Sequence, residues 1–355
     1  MKKIAFFTTG YYPVHNENVK AIESLTYLLA TTFAKRGYEI HIFGSKESKG
    51  NFKVHVLNVN KEIMKKSSDG SYYYLNLAEN FCDTMDYCAQ NNIDVIFDQT
   101  NSISYTLSRY SKVPVISTLH GPRTVSDLSG YYQQSKFSYI ISPSEYVKKI
   151  SPDINVREVI PHGIDINHFQ YNACGGNDFV TIGRIIPDKG QLDAIKVAND
   201  VKTNIALAGY HPEYIDDDSY FKEVVNRAKK SKYCKFVGRV ERTDVPKFMG
   251  NAKALLMPIK WHEPFGLVII ESMATGTPVI SYNMGSASEL IIDRVTGFIV
   301  PPNDTKAMGK AAEQINQMSQ EEYQKMRQAC RRHVEENFTV EKMVDQYEKV
   351  YQKVT

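Results

Sequence analysis

The chain has 355 residues, of which 42% are hydrophobic and 23% are charged. These values are ordinary for a globular protein and exclude a disordered, collagen-like or coiled-coil chain. At about 150 residues per domain, the length favours two domains. The 43 Lys and Arg residues against 40 Asp and Glu leave a net charge of +3, which is too small to indicate nucleic-acid binding.

The cysteine pattern and the apolar runs narrow the class of protein further. There are five cysteines and no C-x-x-C pair, so neither a zinc site nor a thioredoxin-like motif is predicted. The odd number favours a reducing compartment. The apolar run after Lys2 and Lys3 is too short for a signal peptide and is interpreted as a buried strand. No apolar stretch approaches the roughly 18 residues that a transmembrane helix needs.

Strand and helix signals alternate through the first half of the chain. Helical spacing of apolar residues predicts helices over 21–36 and 76–90, the first ending at Gly37. Short apolar runs predict strands over 4–8, 39–43, 53–59, 94–98, 114–118, 139–142 and 156–160. Strands separated by helices imply parallel pairing, and therefore an α/β doubly wound sheet.

The same alternation restarts in the second half, after a small, polar, glycine-rich segment at 172–177 that is predicted to be a linker. Strands are predicted over 179–183, 204–209, 278–281 and 297–300, and helices over 191–199, 220–231, 306–317 and 321–351. Two doubly wound halves predict a cleft between them, in which one ligand contacts both.

The segment 262–279 has the strongest chemical pattern. Pro264 suits a first helical turn and Gly276 a helix end, so a helix of about ten residues is predicted. Its start would offer backbone N–H groups to an anion such as phosphate. If most of the interval is helical, Glu263 and Glu271 share one face of it. The alternative is a pair of exposed carboxylates on a solvated face.

A second pattern, 183–190, directly follows a predicted strand. Arg184 could reach a diphosphate with its planar fork and Lys189 as a point charge. The segment matches neither the P-loop nor the dinucleotide fingerprint. The alternative interpretation is a strand-to-helix turn with two surface cations.

Two histidines follow strand signals in the first half. His120 could donate to a sugar hydroxyl or orient a reacting group, although a lone histidine is more often structural. His162 lies in a turn that is interpreted as closing the first domain.

Taken in order, these segments resemble the family-4 retaining glycosyltransferases of the GT-B fold. The resemblance includes the E-x(7)-E motif, as Glu263 and Glu271, and the pair Gly183-Arg184 followed by Lys189. It continues in the segments 162–165, 207–209, 236–240, 285–289 and 297–301. The matching segments are dense from 161 to 304 and sparse before.

The resemblance implies two Rossmann-like domains facing across a cleft. The acceptor-side domain would comprise residues 1–168 and a returning helix at about 338–355, and the nucleotide-sugar domain would comprise residues 169–337. Many members of the family carry a Gly-Gly pair in the loop after the first strand, whereas the loop 10–18 of this chain keeps only Gly10. A milder departure is Ser286, where a second glycine often follows Gly285.

The resemblance also implies roles for individual residues. Arg184 and Lys189 would hold the diphosphate, Glu271 the ribose hydroxyls and Glu263 the donor sugar, with His120 near that sugar. These assignments make His120, Glu263, Arg184 and Lys189 the catalytic residues. The remaining implied donor-binding residues are Gly10, Gly183, Gly238, Arg239, Val240, Phe265, Gly266, Leu267 and Val268.

The implied activity is sugar transfer, with retention of configuration, from a nucleoside-diphosphate sugar to an acceptor hydroxyl. The donor is expected to be UDP-linked, and the acceptor a glycan, a lipid-linked or a small molecule. No metal and no further cofactor is expected, and the acidic run 216–218 is interpreted as solvated charge. The expected location is the cytoplasm, with at most peripheral contact at the inner membrane face. The alternatives are an epimerase or a phosphorylase of the same fold, or a non-catalytic nucleotide-sugar binder.

Overall fold

The computed structural model describes residues 1–16, 20–60, 71–101, 104–121, 137–212 and 215–355. The chain forms two compact units. The first comprises Met1–Gly163 and Val340–Thr355, and the second comprises Ile164–Thr339. The sequence predicted the two boundaries after residues 168 and 337, and the structure places them after residues 163 and 339.

The first unit is built on a seven-stranded parallel sheet. Its strands are β1 (Lys3–Phe7), β2 (Glu39–Gly44), β3 (Lys53–Val56), β4 (Val95–Asp98), β5 (Val115–Thr118), β6 (Tyr139–Ser142) and β7 (Val156–Val159). They lie in the order β3-β2-β1-β4-β5-β6-β7, and every neighbouring pair is parallel. The direction of winding reverses between β1 and β4, as in a doubly wound sheet.

The second unit repeats this order with six strands. They are β8 (Phe179–Arg184), β9 (Ile205–Tyr210), β10 (Cys234–Gly238), β11 (Leu255–Met257), β12 (Val279–Tyr282) and β13 (Gly297–Val300). The order is β10-β9-β8-β11-β12-β13, again with parallel neighbours, so the winding reverses between β8 and β11. The predicted α/β fold with two Rossmann-like sheets is thus confirmed.

Helices connect the strands in both units. In chain order, the described residues contain α1 (Ala21–Lys35), α2 (Ser71–Gln90), α3 (Ser104–Leu107), α4 (Glu145–Lys149), α5 (Gln191–Asp200), α6 (Ser219–Lys230), α7 (Val245–Gly250), α8 (Leu267–Ala274), α9 (Ala287–Leu290), α10 (Thr305–Gln317), α11 (Gln320–Asn337) and α12 (Val340–Val354). Within the described part of the chain, no helix is long and apolar enough to cross a bilayer.

The last helix, α12, packs on the first unit. On its surface, Arg36 at the end of α1 pairs with Asp345 at 2.7 Å and with Glu348 at 2.8 Å. Inside the unit, the Tyr347 hydroxyl lies 3.0 Å from Oγ1 of Thr118, and both side chains are buried. These contacts make α12 part of the first unit although it follows the whole second unit in sequence.

The prediction of a single helix over 321–351 is wrong, because the helix is interrupted between α11 and α12. The carbonyl of Phe338 accepts a hydrogen bond from the Ile164 N–H at 2.9 Å, and Thr339 forms a β-bridge with Ile164. The backbone at the break therefore bonds to another segment instead of continuing the helical ladder. No glycine or proline marks this position in the sequence.

The segment 172–177 is also not a linker between the units, since it lies inside the second one. The Asn172 N–H donates to the carbonyl of Thr275 at 3.0 Å. The Asn172 carbonyl accepts two bonds, at 2.9 and 2.7 Å, from the fully buried guanidinium of Arg327 on α11. These bonds fix to the core a segment whose composition suggested flexibility.

Candidate functional site

The loops that follow β8 and β11 lie at the carboxyl edge of the second sheet, next to its two central strands. The winding reverses between these two strands, so the connections that follow them lead to opposite faces of the sheet. The crevice between such connections is where doubly wound sheets bind ligands. Arg184 is the last residue of β8, Lys189 lies in the loop that follows it, and the loop after β11 carries Trp261 and Glu263. Residues predicted from separate motifs are thereby brought to one place.

The loop after β8 is held close to the chain that follows β11. A 3₁₀ turn, Pro187–Lys189, is followed by Gly190 at φ 66°. A Cβ atom on Gly190 would lie 2.0 Å from the carbonyl oxygen of Pro258, so only glycine permits this approach. At the start of α5, Gln191 Nε2 donates to the Arg184 carbonyl at 2.8 Å, which fixes the backbone at Arg184.

Lys189 and Glu263 form an ion pair at this edge. Their side chains are only 19% and 17% exposed, respectively. The Trp261 indole N–H donates to the same Glu263 oxygen, Oε2, at 3.0 Å, and Lys189 Nζ lies 5.4 Å from the centre of the Trp261 ring. We call these three side chains the Lys189–Glu263–Trp261 cluster. The sequence predicted Lys189 and Glu263 but missed Trp261, whose only signal was its position two residues before Glu263.

Glu263 does not lie on the helix that follows it. The helix α8 begins at Leu267, and Gly266 precedes it at φ 93°, outside the helical region. Pro264 is therefore in the loop and not in a first helical turn. The predicted shared helical face of Glu263 and Glu271 is wrong, because the left-handed residue at Gly266 turns the chain before the helix starts.

The loop that follows β12 holds the backbone of Glu263 by hydrogen bonds. The Ser286 N–H and hydroxyl donate to the Glu263 carbonyl at 3.0 and 3.2 Å, and the hydroxyl also lies 2.6 Å from the carbonyl of Phe265. A Cβ on Gly285 would lie 2.2 Å from that same Glu263 oxygen. The backbone around Glu263 is thus fixed, and the buried Phe265 anchors the approach to α8.

The start of α8 lies next to the cluster in sequence. Leu267 and Val268 occupy its first turn, where backbone N–H groups lack partners within the helix. The positive end of the helix dipole is at the same place. The start of α8 therefore favours an anion, and it follows four residues after Glu263, the partner of Lys189.

Glu271 lies further along α8 and is 4% exposed. Its Oε1 accepts a hydrogen bond from Arg242 Nη1 at 2.7 Å. The exposed-carboxylate alternative is therefore wrong for Glu271. The sequence analysis missed Arg242, which follows β10 and has no motif of its own beyond the neighbouring match at 236–240.

The residues after β10 complete the second unit's predicted set. Gly238 ends the strand, Arg239 lies 3.4 Å from Glu241 and 5.1 Å from the ring centre of Tyr210, and Val240 packs against the hydrophobic core. Gly183 lies in β8, directly before Arg184. Their roles in donor binding stay predictions.

His120 belongs to the first unit, where it follows β5. Its Nε2 lies 2.9 Å from Oε1 of Gln99, which follows β4, and Gln99 Nε2 donates to Thr118 Oγ1 at 3.3 Å. Burial lowers the pKa of His120 to about 4, so the ring is neutral at pH 7. The buried His162 ring lies 5.6 Å away, and burial together with His120 holds its pKa well below the usual range.

Gly10 also lies in the first unit, after β1. Its backbone is left-handed, at φ 75°, and a Cβ there would lie 2.8 Å from Cγ2 of Val59. Packing against the segment after β3 is thus one reason for this glycine. Residues 17 and 18 of the same loop lie outside the described residues.

Within the described residues, no group of three or more His, Cys, Asp or Glu side chains is placed to hold a metal ion. In the acidic run 216–218, Asp218 pairs with Lys222 at 2.9 Å and Asp217 accepts from the Ser219 N–H at 2.9 Å. The five cysteines are free of disulfides.

Comparison with known families assigns both units. A model described as Glycosyltransferase Family 4 matches residues 22–168, and one described as Glycosyl transferases group 1 matches residues 164–333. The chain therefore belongs to the family-4 glycosyltransferases of the GT-B fold, as its motifs predicted.

Individual relatives agree with this assignment. An uncharacterized glycosyltransferase of Methanocaldococcus jannaschii is 27% identical over 256 residues, which cover 68% of this chain and 69% of the relative. A glycogen synthase of Mycobacterium tuberculosis is 25% identical over 239 residues, covering 59% of this chain and 56% of the synthase. The crystal structure of Anabaena HepE in complex with UDP and glucose matches this fold with a TM-score of 0.77 at 18% identity, over 99% of this chain and all of that one (100%).

Proposed function

We propose that this glycosyltransferase moves a hexose from a UDP-linked donor to an acceptor hydroxyl, with retention of configuration and without a metal ion. The observation that carries the proposal is the convergence of Lys189 and Glu263 where the second sheet reverses its winding, close in sequence to the start of α8. The complex of HepE with UDP and glucose supports the choice of donor by analogy.

The proposed reaction builds negative charge on the departing diphosphate as the bond between sugar and phosphate breaks. The ammonium of Lys189, the guanidinium of Arg184 and the N–H groups at the start of α8 would stabilise that charge. Preorganised donors of this kind contribute roughly 3–4 kcal/mol each in studied enzymes. Two cations also supply the neutralisation that a metal ion gives in other sites, which is why we propose a metal-independent reaction.

Glu271 is proposed to bind the ribose hydroxyls. A carboxylate has about four acceptor positions, and the bond from Arg242 uses one of them. Burial of Glu271 would exclude water from such hydrogen bonds and strengthen them. Glu263 is proposed to hold hydroxyls of the donor sugar or to stabilise positive charge on its ring.

The role proposed for His120 rests on the sequence resemblance. Because its pKa is about 4, the ring would act as a neutral hydrogen-bonding group towards a sugar hydroxyl and not as a cation. We name no protein nucleophile, and we propose that the leaving phosphate helps to deprotonate the acceptor. The proposed acceptor is a carbohydrate, lipid-linked or small molecule, and the proposed place of action is the cytoplasm or the inner membrane face.

Donor screening and binding measurements test this function. UDP-, GDP- and ADP-sugars are incubated with the chain with and without candidate acceptors, in the presence of EDTA, and the anomeric configuration of the product is read by NMR. Transfer with retention is expected for a UDP-sugar. Interconversion of nucleotide-sugars without an acceptor would indicate an epimerase. Phosphate-dependent turnover without a nucleotide would indicate a phosphorylase. Binding of a nucleotide-sugar without any turnover would indicate a non-catalytic binder.

Two variants divide the proposed roles of the carboxylates. Glu271→Ala should weaken UDP binding in calorimetry, whereas Glu263→Ala should mainly reduce kcat. Asp200→Asn, on the exposed outer part of α5, serves as the control. Unchanged kinetics in both glutamate variants would contradict the paired-carboxylate site.

A further inference from the structure

The carboxylate of Glu263 is paired with the ammonium of Lys189, the same cation that the diphosphate of the proposed donor needs. In the structure, Oε2 of Glu263 accepts hydrogen bonds from both Lys189 Nζ and Trp261 Nε1. The two charged side chains are mostly buried, so water screens their attraction less than it does for surface pairs. The three side chains of the Lys189–Glu263–Trp261 cluster thus bond to one another, and their charges sum to zero.

A diphosphate bound to Lys189 would meet this carboxylate at close range. Like charges a few ångströms apart repel, and the repulsion grows where water is excluded. An ammonium has three N–H donors, so Lys189 can bond to more than one oxygen, but its single positive charge cannot neutralise both a carboxylate and a diphosphate. Glu263 and the diphosphate therefore compete for one cation.

When a diphosphate binds to Lys189, the side chain of Glu263 can move, whereas its backbone cannot. The Glu263 carbonyl is held by the N–H and the hydroxyl of Ser286, at 3.0 and 3.2 Å, so the backbone is fixed. Rotation about the side-chain bonds of Glu263 would release Lys189 without moving either loop. The Trp261 N–H, which bonds to the same oxygen, holds the carboxylate in the paired position.

We propose that Glu263 is the exchangeable counter-ion of Lys189: a nucleoside diphosphate replaces it, and the released carboxylate turns to the donor sugar. Trp261 is then a positioning residue that sets the strength of the resident pair. This inference rests on the proposed function and deepens it, because it couples diphosphate binding to placement of the sugar-binding carboxylate. Weakly binding anions would fail to displace Glu263, which makes the site selective for a diphosphate.

The exchange predicts an unusual sign for one variant. Glu263→Gln keeps the shape of the side chain and an acceptor for the Trp261 N–H but removes the competing charge. Calorimetric titration of the full chain with UDP, which carries no sugar, should therefore show binding about three- to tenfold tighter than in the wild type. With a UDP-sugar the same variant should turn over more slowly, because the sugar loses a charged partner.

Asp200→Asn is the matched control, since it also removes a carboxylate from a pair with a lysine, here Lys196 on the exposed face of α5. Its affinity for UDP should equal that of the wild type. Equal or weaker binding of UDP by Glu263→Gln would overturn the exchange. An equal gain in both variants would also overturn it, because the gain would then come from net charge alone.

The wild-type chain provides a second measurement that does not depend on a variant folding. Trp261 is the only tryptophan in the sequence, so intrinsic fluorescence reports on the cluster itself. UDP should change the emission over the concentration range in which calorimetry detects binding. Calorimetric binding with unchanged emission would contradict the exchange alone, whereas a wild type that binds none of UDP, GDP or ADP would contradict the proposed function as well.

Discussion

The two units share a strand order but present different chemistry at the ends of their strands. In the second unit, Lys189 and Glu263 form an ion pair on the loops where the winding reverses, and Arg242, after β10, forms another with Glu271 on α8. In the first unit, the loops after β4 and β5 bring together two neutral side chains, Gln99 and His120, which are hydrogen-bonded. The comparison teaches that the topology determines where side chains converge, whereas the loop residues determine whether the place suits a charged or a neutral ligand group.

The largest effect is expected from the charged side of this comparison. Lys189→Ala removes the ammonium and leaves the Glu263 carboxylate without its partner, facing the incoming diphosphate. Affinity for UDP should fall about 10- to 100-fold, which corresponds to the loss of one or two charge-assisted hydrogen bonds. Calorimetry with UDP and UMP checks this, and a variant that loses equal affinity for both nucleotides would show that Lys189 does not act on the second phosphate.

The second ion pair should matter for stability. Arg242→Ala leaves the carboxylate of Glu271, 4% exposed, buried without its guanidinium partner. Since Arg242 is itself 27% exposed, we expect a loss of about 1–3 kcal/mol in the free energy of unfolding, less than for a fully buried pair. Urea unfolding followed by Trp261 fluorescence measures it, because this tryptophan lies in the second unit.

A double variant tests the cause of that loss. Adding Glu271→Gln to Arg242→Ala removes the unpaired charge and should restore part of the stability. Lys222→Ala, from an exposed pair with Asp218, should cost less than about 0.5 kcal/mol. A double variant no more stable than Arg242→Ala would mean that the arginine acts by packing on Phe169 and not by charge.

The neutral side of the comparison predicts a dependence on pH. The pKa of His120 is about 4 in the folded chain and about 6.5 when unfolded, so the unfolded chain binds more protons between these values. Stability should therefore fall as the pH drops from about 6.5 towards 4 and should be flat above about 7. His120→Gln should remove about 1–2 kcal/mol of the loss between pH 7 and 5, measured by chemical unfolding at each pH.

His162 contributes to the same slope in the same direction, because its pKa is also lowered by burial and by His120. The wild-type slope should consequently exceed the share of His120 alone. A His120→Gln chain with the wild-type pH dependence would show that folding does not lower the pKa of His120, and the burial argument for its neutral role would fail.

The smallest effect concerns the returning helix. Tyr347→Phe deletes the hydroxyl that lies 3.0 Å from Thr118 Oγ1 inside the first unit. The loss of one buried hydrogen bond should cost about 1 kcal/mol in the free energy of unfolding, as measured by circular dichroism. Tyr110→Phe, at a position 69% exposed, should leave stability unchanged, and an equal loss in both would remove the significance of the Thr118 contact.

Most of the fold could be predicted from the sequence because parallel strands buried on both faces form short apolar runs. The run at 179–183 became β8, and the helix predicted over 191–199 became α5. The break at Phe338 could not be predicted, since it depends on a hydrogen bond to Ile164, far away in sequence. Local propensity contains no information about that partner.

The candidate site was predictable to a similar extent. Lys189 and Glu263 could be proposed from motifs, because phosphate chemistry demands a cation near a helix start. Arg242 could not, since its partner Glu271 becomes a neighbour only when the segment after β10 folds against α8. Trp261 could not either, because no motif marks it although its partner Glu263 is two residues away. The predicted alignment of Glu263 with Glu271 failed for a local reason, because Gly266 can adopt a left-handed turn that no residue count reveals.

The position of α12 in the chain has a consequence for biosynthesis. A ribosome releases the whole of residues 164–339 before it releases α12, yet the contacts of Arg36 and Thr118 require that helix. The surface of the first unit that α12 covers therefore stays uncovered at least until residues 164–339 have been synthesised. The first unit, whose synthesis begins first, is thus completed only by the helix that is synthesised after the second unit.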